Sequence, residues 1–145
     1  MIALLDTNVI LDALMERSPF DIAAKEILRQ GQRGKLTCSF TANAATDIFY
    51  LYSKARSMSS AKTVLHFLLK TYSAISITHE DCVAALSLGI ADFEDALVAV
   101  LAYKVNADYI ITCDKRFLAE SSLVKIITPN IFVATHLDSV NTDSN

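Results

Sequence analysis

Five aspartates, Asp6, Asp47, Asp92, Asp95 and Asp114, are spaced so that a parallel α/β sheet would gather them at one end. Asp6 closes the apolar run Met1-Ile-Ala-Leu-Leu5, and Asp114 follows Tyr109-Ile-Ile-Thr-Cys113, so each reads as a residue just past the carboxyl end of a buried strand. Open α/β sheets bind their ligands there. Asp92 and Asp95 begin a long apolar helix three residues apart, which sets them on one helical face. Asp47 interrupts the helical stretch formed by Ala42-Asn-Ala-Ala-Thr46 and Ile48-Phe-Tyr-Leu-Tyr52, whose neighbours predict substantial burial, and a buried Asp needs partners. Two carboxylates about 4 Å apart repel by roughly 4 kcal/mol at an effective dielectric near 20, and a larger cluster repels far more. Such a cluster needs a cation.

Each acid also has a plainer role. Asp6-Thr7-Asn8 would turn the chain and cap the helix beginning near Val9, because all three side chains accept bonds from free helix N–H groups. Asp92 with Asp95 is a near relative of the capping box and suits the helix dipole. Independent capping would not, however, bring acids from two strand ends and two helix starts into one region. That convergence is the argument for chemistry.

The elements that would position the acids alternate along the chain. Strands are predicted at Ile2 to Leu5, Leu36 to Ser39, Ala74 to Thr78, Tyr109 to Thr112 and Val124 to Ile127. Helices are predicted at Asn8 to Met15, Asp21 to Gln32, Ala42 to Ala55, Ser60 to Thr71, Glu80 to Leu88 and Phe93 to Val105, with Gly31, Gly34 and Gly89 as stops. Strands separated by helices imply a parallel sheet covered on both faces, so the fold class is an α/β/α sandwich around a central, mostly parallel five-stranded sheet. Ala96-Leu-Val-Ala-Val-Leu-Ala102 is apolar all round and belongs to a helix buried against that sheet.

Composition narrows the class further. The 145 residues are 52% hydrophobic and 20% charged, which excludes disorder and favours one domain over 1–137 with a frayed polar tail at 138–145. Net charge is −3, so no global basic field announces nucleic acid. No stretch approaches the roughly 20 apolar residues of a membrane span. The N-terminal run has no basic leader, and a cytoplasmic, non-membrane protein is the expectation. Cys38, Cys82 and Cys113 are odd in number, lack CxxC spacing and fall in or beside apolar segments, which predicts buried thiols rather than disulfides or a zinc site.

Four segments in order, Leu4-Leu-Asp-Thr-Asn8, Thr41 through Asp47, Asp92-Phe-Glu-Asp-Ala-Leu97 and Ile110-Ile-Thr-Cys-Asp-Lys-Arg-Phe117, resemble the motifs of PIN domains across nearly the whole chain. The resemblance implies a metal-dependent nuclease, and many small bacterial single-domain members are VapC-type toxins of toxin–antitoxin pairs. It assigns catalytic roles to Asp6, Asp47, Asp95 and Asp114, with Asp6, Asp95, Asp114 and Asp92 as metal ligands. Asp47 occupies a helix position more often filled by Glu. Thr7, Asn8 and Thr112 would orient carboxylates or water, though Thr112 reads equally as an ordinary strand residue. Lys115 and Arg116 either meet a substrate phosphate or are simply solvated. Oxygen-only ligands suit Mg²⁺ or Mn²⁺. Asp12, in the helix after Asp6, belongs to no motif and is expected to be indifferent to cleavage.

The reading that follows is an endoribonuclease acting on RNA, with a small antitoxin protein and a second copy of the chain as partners. The alternatives are a PIN-domain RNA-processing nuclease without an antitoxin, and a non-catalytic Mg²⁺-dependent RNA-binding module. A response-regulator-like receiver also gathers strand-end acids around Mg²⁺. It requires a phospho-accepting Asp after a middle strand and a downstream Lys, which Ala74 to Thr78 and the segment after it do not supply.

Overall fold

The computed structural model describes residues 1–137, and the tail predicted to fray, 138–145, lies outside the described residues. Five short strands, β1 (Ile2–Leu5), β2 (Thr37–Thr41), β3 (Ser73–Ile75), β4 (Tyr109–Ile111) and β5 (Lys125–Ile127), form one parallel sheet in the order β3-β2-β1-β4-β5. Between them run α1 (Thr7–Leu14), α2 (Asp21–Gln32), α3 (Ala42–Ala55), α4 (Met58–Thr71), α5 (His79–Leu86), α6 (Phe93–Lys104) and α7 (Lys115–Leu118). After β5 come α8 (Pro129–Phe132) and a π-helical turn, Val133–Leu137. The α/β class expected from the alternating pattern is the one observed.

Alternation along the strands builds two cores, since successive side chains point to opposite faces of a sheet. Ala3, Leu5, Cys38, Phe40, Ile111 and Ile127 pack on one face with residues of α1 to α4 and α8. Leu4, Ile75 and Ile110 pack on the other face with residues of α5, α6 and Phe117 of α7. Helix α6 buries Asp95 to Ala99, Leu101 and Ala102, so its all-round apolar sequence reflects a position pressed against the sheet centre. Successive strands step from β1 to β2 to β3 with helices on the first face. The chain then crosses to β4 and β5 with helices on the second. Direction and face reverse together between β1 and β4, which opens a crevice at their carboxyl ends.

Several element bounds differ from the sequence reading. Strand β2 extends to Thr41 because Ser39, Phe40 and Thr41 pair with β3, while β3 itself is Ser73–Ile75 rather than Ala74 to Thr78. Helices α7 and α8 and the π turn were not predicted. The first two have four residues each, too few to show a helical period. Cys38, Cys82 and Cys113 are free. Among the described residues no helix is long and apolar enough to cross a membrane.

Candidate active site

Three of the five aspartates sit where they do because they begin helices. Asp6 is the N-cap of α1 and accepts from the Thr7 N–H at 2.8 Å. Asp92 is the N-cap of α6 and accepts from the Asp95 N–H at 3.0 Å. Asp114 is the N-cap of α7 and accepts from the Arg116 N–H at 2.9 Å. A carboxylate cap satisfies a free N–H and sits at the positive end of the helix dipole. The capping foreseen for Asp6 and Asp92 is present, and Asp114 caps a helix as well.

Strand pairing brings two of these caps together. The Asp6 N–H donates to the Ile111 carbonyl at 2.9 Å, tying the end of β1 to the end of β4. Thr112, wholly inaccessible to solvent, donates its hydroxyl to the second Asp6 oxygen at 2.7 Å and accepts from the Asp114 N–H at 3.0 Å. One hydroxyl thus fixes the carboxylate of the first motif and the backbone of the fourth. Asp95, on the first turn of α6, faces the same crevice and is 9% exposed.

Electrostatics record the crowding. Burial first, then the negative charge at Asp92, Asp6, Asp114 and Glu94, pushes the Asp95 carboxyl up to about 7. Burial also raises Asp6, outweighing the stabilising bonds from Thr112 and Thr7, and Asp114 and Asp92 add to the rise. Glu94 is raised by desolvation and then by Asp47, Asp6 and Asp92. Its position inside Asp92-Phe-Glu-Asp95 was the available signal, overlooked between two aspartates that fitted the motif. Asp47 lies within the field of this group from α3 but is exposed, which corrects its expected burial. Ala44 and Ile48 on α3 are buried, but Tyr50 and Leu51 are exposed, and Asp47 lies on the outward side of the helix with them.

The remaining predicted residues have simpler surroundings. Thr7 contributes its backbone N–H, and Asn8 is exposed on the first turn of α1. Lys115 and Arg116 begin α7, both exposed, and Arg116 lines a depression of about 440 Å³ with Asp92, Asp95 and Glu120. Asp12 is buried and paired with Arg17 at 3.6 Å, a structural load unforeseen from sequence.

The residues present fit a hard divalent cation by donor type, being all carboxylate oxygens. The raised carboxyls of Asp6 and Asp95 mark crowding that a cation would relieve. Among the described residues no three potential ligands stand in direct ligating geometry. The carboxylates lie within electrostatic reach of one another, each cap holding one oxygen on a helix N–H.

A doubly wound parallel sheet with acids massed at its reversal point defines a class of α/β proteins that act on ligands at the carboxyl edge. The chain belongs to the PIN domain family, whose model matches residues 3–116. Its fold is similar to a chain of VapBC2 from Rickettsia felis, a structure bound to a DNA fragment from their promoter. The TM-score is 0.68 and the identity 18%, over 88% of this chain and 98% of that one. It is likewise similar to a chain of VapBC-1 from nontypeable Haemophilus influenzae. There the TM-score is 0.61 and the identity 15%, over 90% of this chain and 99% of that one. No curated protein matches the sequence.

Proposed function

We propose that this chain is a metal-dependent endoribonuclease and the toxin component of a two-protein module. The observation carrying the reading is the convergence of Asp6, Asp92, Asp95 and Asp114 at the β1–β4 crevice, with Asp95 raised to about 7 by burial and by its acidic neighbours. Asp6, Asp95 and Asp114, with Asp92, would hold Mg²⁺ or Mn²⁺. Bound there, the ion supplies a water of lowered pKa and polarises the phosphoryl oxygen. Thr112 and the Thr7 N–H orient Asp6, and the Asp92 carboxylate orients the first turn that carries Asp95. Asp47, with its shorter side chain, orders the site from α3, and Asn8 and Arg116 border it. Lys115 and Arg116 offer positive charge to a phosphate.

The partner reading draws on family membership and on the two similar folds coming from VapBC structures. A small antitoxin would be its cognate partner, the protein would act in the cytoplasm, and a second copy of the chain would complete the RNA groove. Light scattering of the purified protein at high micromolar concentration is expected to give a dimer, and a monomer would refute that part alone.

The decisive experiment is RNA cleavage with Mn²⁺. Wild type is expected to cleave, with Asp6→Asn, Asp95→Asn and Asp114→Asn lowering the rate by orders of magnitude. Asp108→Asn is the control, because Asp108 precedes β4 at the opposite sheet edge, where its carboxylate accepts from the Ile2 N–H at 2.7 Å. Asp47→Glu should retain activity and Asp47→Asn should lose it. Wild-type protein free of inhibitor that leaves structured and single-stranded RNAs intact would overturn the assignment.

A further inference from the structure

A second depression, of about 140 Å³, adjoins the acids on the other face of the sheet, lined by Phe20, Cys113, Thr128, Pro129 and Asn130. Cys113 separates Thr112 from Asp114, and Thr128 follows β5, so the hollow opens at the same carboxyl edge. Phe20, at the start of α2, is 51% exposed. The Arg116 depression and this hollow both lie at that edge, on either side of Thr112, Cys113 and Asp114.

We propose that the hollow takes one unpaired nucleobase of the RNA strand, stacked on Phe20 with its edge toward Asn130 and Thr128. The inference rests on the nuclease reading and adds to it a base-binding subsite at this hollow. An exposed aromatic face binds any base, since every base has a π-face. The exposed Asn130 amide carries both donors and an acceptor for a base edge. No Lys or Arg lines the hollow, so it is unsuited to a phosphate, in contrast to the depression holding Arg116. Its volume admits a planar ring and no peptide helix. A base inside a duplex is stacked on both sides and out of reach, which is why sequence-tolerant capture of this kind selects single strands.

The chain contains no Trp, so Phe20→Trp installs a single fluorophore in the hollow. Oligoadenylate titrated in EDTA at low salt is expected to quench it, and an abasic sugar-phosphate oligomer of the same length is not. Phe20→Ala should bind oligoadenylate roughly five- to 150-fold more weakly, the range set by loss of one stacked base. Ile22→Ala is the control, because Ile22 is 74% exposed two residues further along the same helix and lies outside the hollow. Equal quenching by the abasic oligomer, or unchanged affinity in Phe20→Ala, overturns the base subsite. Cleavage by wild type with Mn²⁺ beside such a result leaves the nuclease reading standing. Base-dependent quenching without cleavage instead keeps the subsite as a single-strand contact and removes the nuclease.

Discussion

At the scale of single residues, the fold resists the ionised forms of Asp6, Glu94 and Asp95 within the acidic site. Asp95 has a folded value of about 7 against an ordinary 3.8, so the folded protein favours its neutral form. Its contribution to stability is complete below pH 3.8 and is lost as pH rises toward 7. Asp6 is shifted in the same direction. Thermal unfolding of the metal-free protein should therefore show a melting temperature that falls from pH 5 to pH 7.5, with a shallower fall in Asp95→Asn. An identical slope in both proteins would contradict the assignment of Asp95 as the proton holder. Thr112 is the other residue of consequence, because its buried hydroxyl serves Asp6 and Asp114 at once. Thr112→Val keeps the shape and leaves both groups without that partner, so urea unfolding should show a loss of about 1–3 kcal/mol. An unchanged midpoint would mean that water replaces the hydroxyl.

At the scale of elements, the close approach of α2 to β2 can be tested through Gly31. A methyl group there would meet Cys38 Sγ at 2.8 Å and Tyr72 Cε1 at 2.9 Å. Alanine in a helix interior ordinarily gains up to about 1 kcal/mol over glycine. Here overpacking reverses the sign, and Gly31→Ala should destabilise by roughly 1–3 kcal/mol in denaturant unfolding. A stabilised variant would show that the two elements can separate. The elements most legible in the sequence were those with strong local signals. Strand β1 is an apolar run closed by an acid, and α6 is apolar on every side after an acidic turn. Four-residue α7 and α8 were missed because a single turn has no periodicity to read. Burial of Asp47 was misjudged because apolar residues on α3 were taken to mean a buried helix, whereas Tyr50 and Leu51 face outward. The acids at the ends of β1 and β4 were readable because parallel strands share one carboxyl edge. Thr112 was expected to orient a carboxylate, but that its hydroxyl would join Asp6 to Asp114 was not readable, since it depends on which strands are neighbours.

At the scale of the whole molecule, a cation would act as a clamp between the two halves of the sheet, β1 to β3 and β4 with β5. If the proposed site binds the ion only when the crevice is assembled, Mg²⁺ or Mn²⁺ at about 100 times its dissociation constant should add roughly 2.7 kcal/mol to stability. A thermal series to several millimolar of either ion with no shift would count against the site, and Asp6→Asn should blunt the response. That variant should still fold, for a reason already visible in the helix caps. Asp6, Asp92 and Asp114 each begin a helix, and asparagine caps a helix about as well as aspartate does. In genetic terms the two residues differ by one transition, GAY to AAY. On the proposed metal-site reading, a single base change at any of these codons would yield a chain that still caps its helices and folds but has lost one carboxylate of the site. On the proposed nuclease reading, disarming this protein takes one nucleotide.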